Sequence, residues 1–149
     1  MLTAERQRGR LAPSGRSGSA STRSIAAAIA DGLIASCHDC SEGGLAVALA
    51  EMAFAGGLGI EAALRGLPRN KDCVRSDVQL FSESNSRYVV EVTPKNFDAF
   101  AKRMLDLPFG QLGTVTETPS LVVQDTDGRS IMDARIDLLK QAWQKTFDW

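Results

Sequence analysis

The chain is short of the residues that most metal and redox sites require. It has one histidine, three cysteines, one tyrosine and two tryptophans in 149 positions. A structural zinc site needs four convergent ligands, and Cys37, His38, Cys40 and Cys73 are all the cysteine and histidine there is. His38 sits between the two nearest cysteines, and adjacent residues rarely point at one ion. The Cys37-His38-Asp39-Cys40 run also lacks the preceding strand expected of a thioredoxin-type motif. A zinc or redox module is therefore the weaker reading, and thiols kept in a reducing compartment the preferred one. No stretch of about 18 uncharged apolar residues exists, because Asp31, His38, Asp39, Glu42 and Glu51 interrupt the most apolar region. A membrane span is not expected, and a cytoplasmic protein is.

Excess charge of either sign is missing too, with a net charge of −1 overall. The balance is uneven, since residues 1–23 carry five arginines against Glu5 and leave 12 basic against 17 acidic residues in 24–149. An acidic domain with few aromatics is a poor partner for nucleic acid, which rewards basic surfaces that displace counterions. Residues 1–23 show no apolar periodicity and read as a disordered segment separate from a domain over 24–149. Their Arg- and Ser-rich composition could pass for a transit peptide, although Glu5 and the scattered glycines weaken that reading.

What is present begins with His38-Asp39-Cys40-Ser41-Glu42-Gly43-Gly44-Leu45-Ala46, a polar glycine-rich loop running straight into an apolar helix. Ser41 is a good N-cap, Gly43 and Gly44 allow close backbone approach to a phosphate, and a helix start offers N–H groups. Asp39 either caps that helix or holds a divalent cation bridging phosphates. The second segment, Phe81-Ser82-Glu83-Ser84-Asn85-Ser86-Arg87, puts small polar residues before the β-rich Tyr88-Val89-Val90-Glu91-Val92. Glu83 reads equally as a site carboxylate or as a solvated partner of Arg87. His38 is better read as a loop anchor than as a general base.

The remaining pattern predicts a helix capped by Thr22 or Ser24 and running to about Ser36, with Ile25, Ile29 and Leu33 inward. A second helix is expected from Gly44 to about Ala55, burying Leu45, Leu49 and Met52. Strands are expected at 58–64, 88–92, 109–118, 121–125 and 130–132, an exposed loop over 65–78, and helices at 96–107 and 136–147. This order suggests an α+β fold, a mostly antiparallel sheet covered by helices.

Together the two motifs resemble the C-terminal domain of the aminoimidazole ribonucleotide synthetase superfamily, and within it the phosphoribosylformylglycinamidine synthase branch. The second motif departs from that branch's usual Phe-Ser-Glu-Ser-Gln-Ser-Arg at Asn85, whose side chain is one methylene shorter. The resemblance implies a layered α/β/α sandwich, partly ferredoxin-like, with a mixed sheet. It implies one domain of an ATP-dependent ligase that makes formylglycinamidine ribonucleotide from formylglycinamide ribonucleotide and glutamine-derived ammonia in purine biosynthesis, inactive on its own. Mg2+ and ATP or ADP would be the cofactors. The partners would be the remaining domains of the synthetase subunit, a glutaminase subunit and a small accessory subunit, with self-association of the isolated domain. By the same resemblance Asp39 would hold the metal, Ser41, Gly43 and Gly44 the nucleotide, and Glu83, Ser84 and Asn85 the substrate. No catalytic residue is implied. An orphaned structural module of the same fold is the alternative.

Overall fold

The computed structural model describes residues 2–5, 17–69 and 72–145. One seven-stranded sheet runs through it: β1 (Leu2–Glu5), β2 (Ser36–Asp39), β3 (Gly59–Ala63), β4 (Tyr88–Glu91), β5 (Phe109–Thr116), β6 (Ser120–Gln124) and β7 (Ser130–Arg135), in the order β2-β4-β1-β5-β3-β6-β7. Every pairing is antiparallel except β3 with β6. Among the described residues five α-helices accompany the strands: α1 (Ser17–Ala30), α2 (Gly44–Gly56), α3 (Ser76–Phe81), α4 (Phe97–Arg103) and α5 (Ile136–Lys145).

The alternation of side chains along β4 sets the layers. Val89 faces a core shared with Leu45 and Leu49 of α2, Leu80 of α3 and Ile136 of α5, whereas Val90 faces a second core with Ile25, Ala28, Phe100 and Met104. Successive strand residues point to opposite faces, so helices cover both sides and the fold is the expected mixed α/β/α sandwich. α5 is fastened to α2 by Trp143, whose Nε1 donates to Glu51 at 2.8 Å and whose ring meets Phe54 at 5.8 Å.

Several boundaries differ from the sequence reading. α1 stops at Ala30 because Gly32 takes a left-handed φ of 66°, with the amides of Gly32 and Leu33 folding back onto Ile29 and Ala28. Ile29, expected inward, is exposed, because the buried face of α1 runs through Ser21, Ile25 and Ala28. Ser36–Asp39, expected as part of a helix end and a connection, is an edge strand on β4. The 65–78 stretch begins with a 3-10 turn over Leu64–Gly66 and contains the start of α3. Of the 1–23 segment expected to be loosely held, Leu2–Glu5 is a sheet strand and Ser17 onward is helix, while residues 6–16 lie outside the described residues. So do residues 146–149, where the last helix was expected to end.

Leu49 is completely buried and Leu105 is 79% exposed. Leu49→Ala is expected to cost about 2–5 kcal/mol of unfolding free energy and Leu105→Ala less than about 0.5 kcal/mol, measured by urea denaturation.

Candidate functional site

Local backbone chemistry shapes the first loop. β2 ends at Asp39, and Cys40 donates its N–H to the carbonyl of Arg87 at 2.8 Å, so the β2–α2 turn is sewn to the start of β4. Gly43 and Gly44 both have left-handed φ, 72° and 67°. At Gly44 a Cβ would lie 2.8 Å from the Leu80 carbonyl and 2.9 Å from that of Ser82. Only a glycine lets the start of α2 pass this closely beneath the end of α3.

The second loop, Ser82 to Arg87, is held from inside. Arg87 is 4% exposed, and its guanidinium donates to the Gln79 carbonyl at 2.8 Å, the Ser82 carbonyl at 3.1 Å and the Ser82 hydroxyl at 3.2 Å. The two carbonyls are ones that the end of α3 leaves without helical partners, and a cation there also complements the helix dipole. The loop turns at Ser86, the one non-glycine residue with positive φ among those described, at 59°. Non-glycine residues take that conformation only when their surroundings enforce it.

The two loops, forty residues apart in sequence, meet where the Gly43 N–H donates to Glu83 Oε1 at 2.9 Å. Between them lies a cavity of about 320 Å³ lined by Asp39, Ser41, Glu42, Glu83, Ser84 and Asn85, with Ser86, Cys40, Arg87 and Tyr88 completing the wall. Asp39, Ser41, Glu83, Ser84 and Asn85, all singled out from sequence, thus share one cavity. Gly43 joins it through its amide, and Gly44 serves the packing against α3 instead.

Three roles differ from expectation. Ser41 is not the N-cap of α2: Gly43 holds that position, and the Ser41 hydroxyl donates to Asp39 Oδ2. That bond, aided by the Asp39 backbone and His38, holds the Asp39 carboxyl below the usual carboxylate range against a modest opposing effect of burial. Arg87 does not pair with Glu83; it closes the end of α3. Both glycine amides are already engaged, Gly43 with Glu83 and Gly44 with the Ser41 carbonyl at 3.4 Å. His38 is an anchor: Nε2 lies 2.9 Å from Glu51, and Nδ1 lies 2.7 Å from the Asp39 carbonyl. Glu42, Tyr88 and Gln79 enter the site or its support without having been singled out. Glu42 and Tyr88 lie within the two motifs read from sequence, whereas Gln79, a polar residue between Val78 and Leu80, lies outside them.

The cavity wall carries three carboxyl groups, from Asp39, Glu42 and Glu83, while the adjacent guanidinium is spent on α3. Such a lining favours a cation over a bare anion. Among the described residues no three His, Cys, Asp or Glu side chains converge into a metal cage. A cation that keeps waters and phosphate oxygens in its shell, such as Mg2+, needs only one or two protein carboxylates.

Comparison with known proteins gives the same answer as the motifs. Residues 20–126 match the family described as AIR synthase related protein, C-terminal domain. The chain belongs to this family. It is 40% identical over 119 residues to phosphoribosylformylglycinamidine synthase subunit PurL of Deinococcus radiodurans, a match that covers 80% of this chain and 15% of that protein. It therefore spans less than a sixth of that relative's length. Among solved structures, Thermotoga maritima PurL complexed with ATP superposes with a TM-score of 0.79 at 20% identity, covering 93% of this chain and 25% of that one. A structure of PurLQS from the same organism gives the same TM-score, identity and coverage. At these identities the superpositions establish the family's fold. No helix among the described residues is long and apolar enough to cross a membrane.

Two outcomes follow for this AIR synthase-related domain. Arg87→Lys keeps the charge but loses the fork, and is expected to cost about 1–3 kcal/mol with faster amide exchange over residues 82–88. Burial pushes the Cys40 thiol up to about 11 despite nearby Arg87, so at pH 7.5 an alkylating agent should label exposed Cys37 and leave Cys40 unmodified until the protein unfolds. Mass spectrometry of the labelled peptides reads both.

Proposed function

We propose that this chain acts as the C-terminal domain of a phosphoribosylformylglycinamidine synthase, lining a Mg2+-nucleotide pocket that an ATP-binding domain completes. The observation that carries the reading is the junction of the 39–44 and 82–87 loops at one acid-lined cavity. Family membership and the likeness to an ATP-complexed PurL support it. Asp39 would hold the metal, whose part is to offset phosphate charge. Ser41 fixes the Asp39 carboxylate, and Glu83, Ser84 and Asn85 present polar groups to substrate. The Asn85 amide would act with a shorter reach than the glutamine usual in the family.

Activity would come only with the remaining domains of the synthetase subunit, in the cytoplasm, with a glutaminase subunit supplying ammonia and a small accessory subunit as a further partner. Val74, Val78 and Phe81 are exposed apolar residues on α3 and its approach, leading into the Ser82–Arg87 loop. They are the surface against which a neighbouring domain would pack.

One observation favours a purely structural module. Glu83 occupies the Gly43 amide, so a phosphate arriving at this helix start must displace a carboxylate. A complementation assay separates the readings. The chain is mixed with a PurL subunit truncated before its last domain, and ammonia-dependent ADP release is followed with formylglycinamide ribonucleotide present. Restored turnover is expected, with Asp39→Asn raising the Mg2+ requirement about tenfold or more. A folded chain that gives no rescue would favour the structural module.

A further inference from the structure

Gln79 is 2% exposed, and most of its polar groups are bonded. Its N–H donates to the Arg75 carbonyl at 3.1 Å, its carbonyl accepts from Arg87 at 2.8 Å, and its Nε2 donates to the Cys73 carbonyl at 2.9 Å. The remaining atom, Oε1, is buried and has no donor among the described residues. Turning the amide over gives no relief, because it would set Oε1 against the Cys73 carbonyl, and neither oxygen can donate. Native proteins rarely leave such a group unpaired. Gln79 also lines a small cavity of about 20 Å³ behind the Ser82–Arg87 loop, together with Arg69, Cys73, Ser82, Ser84 and Arg87.

We propose that this cavity is a binding site for a single water molecule, with Gln79 Oε1 as its acceptor. The size admits an occupant of one heavy atom, since a water needs about 10–15 Å³ of such space. Chemistry excludes the other occupants. An anion would face the Gln79 oxygen, and a cation would face the guanidinium groups of Arg69 and Arg87 that share the wall. An apolar group would leave Oε1 buried and unpaired. Water donates to Oε1 and keeps a second proton and its lone pairs for the Ser82 and Ser84 hydroxyls, which gives it the two to four partners that a buried water ordinarily has. Ser84 and Arg87 also line the acid-walled cavity on the other side of the loop. The water therefore bridges α3 to the loop that carries Glu83, Ser84 and Asn85, from the side away from that cavity.

Crystal structures of the full chain and of its Gln79→Met variant, at a resolution that shows ordered solvent, test the proposal. Methionine has a similar length and offers no oxygen. The expected result is one ordered water within about 2.7–3.2 Å of Gln79 Oε1, in reach of a Ser82 or Ser84 hydroxyl, and its loss in Gln79→Met. In solution the same water is expected to give nuclear Overhauser transfer to the Gln79 side-chain amide protons with the sign of a long-lived contact, a measurement that the unaltered chain supplies even where the variant does not fold. A dry cavity, a protein donor on Oε1, or transfer with the sign of fast-exchanging surface water would overturn the site. A water that persists unchanged in Gln79→Met would overturn Gln79 as its acceptor.

Discussion

Taking a guanidinium out of water is costly unless its donors find acceptors, and the two terminal nitrogens of the buried Arg87 find theirs in the loose carbonyls at the end of α3 and the Ser82 hydroxyl. The site depends on that interaction. Because Arg87 also immediately precedes β4 and accepts the Cys40 amide through its own carbonyl, one residue ties α3, the 82–86 loop, β4 and the β2–α2 turn together. Glu83 is thereby delivered to the Gly43 amide, and the cavity has walls of fixed separation. A rigid sheet behind two short loops is the usual way a fold presents polar groups accurately.

The two glycines belong to the same construction. The close pass of Gly44 under the Leu80 and Ser82 carbonyls sets the depth at which α2 starts. The apolar face of α2, with Leu45 and Leu49, then locks that depth into the main core. His38, Glu51 and Trp143 form a polar chain along the outer side, joining β2 to α2 and α2 to α5. Stability and site geometry thus share residues, so substitutions in the loops should disturb both.

Much of this was legible in the sequence. The α2 stripe, the β-branched run at 88–92 and the glycine-rich loop announced themselves because periodicity and turn chemistry are local. β2 was not legible: Ser36-Cys37-His38-Asp39 has no apolar alternation, and its strand character comes from backbone pairing with β4. α3 was hidden for a related reason, since Val78 and Phe81 stay exposed and its short sequence follows a polar stretch. The motifs identified the cavity residues, yet the pairing of Glu83 with Gly43 rather than with Arg87 is a contact across forty residues. Nearness in sequence left Arg87 open as a partner, and of the two readings of Glu83 the structure gives the cavity one. The role of Arg87 was invisible until α3 existed to need a cap.

The central claim is that Glu83 and the Gly43 amide join two distant loops into one site. The most direct test is the NMR chemical shift and hydrogen-exchange rate of the Gly43 amide in the unaltered chain and in Glu83→Ala. The account predicts a protected, hydrogen-bonded amide in the unaltered chain that loses its protection and moves in chemical shift in the variant. A Gly43 amide that exchanges like an exposed loop, or that ignores the loss of Glu83, would contradict it.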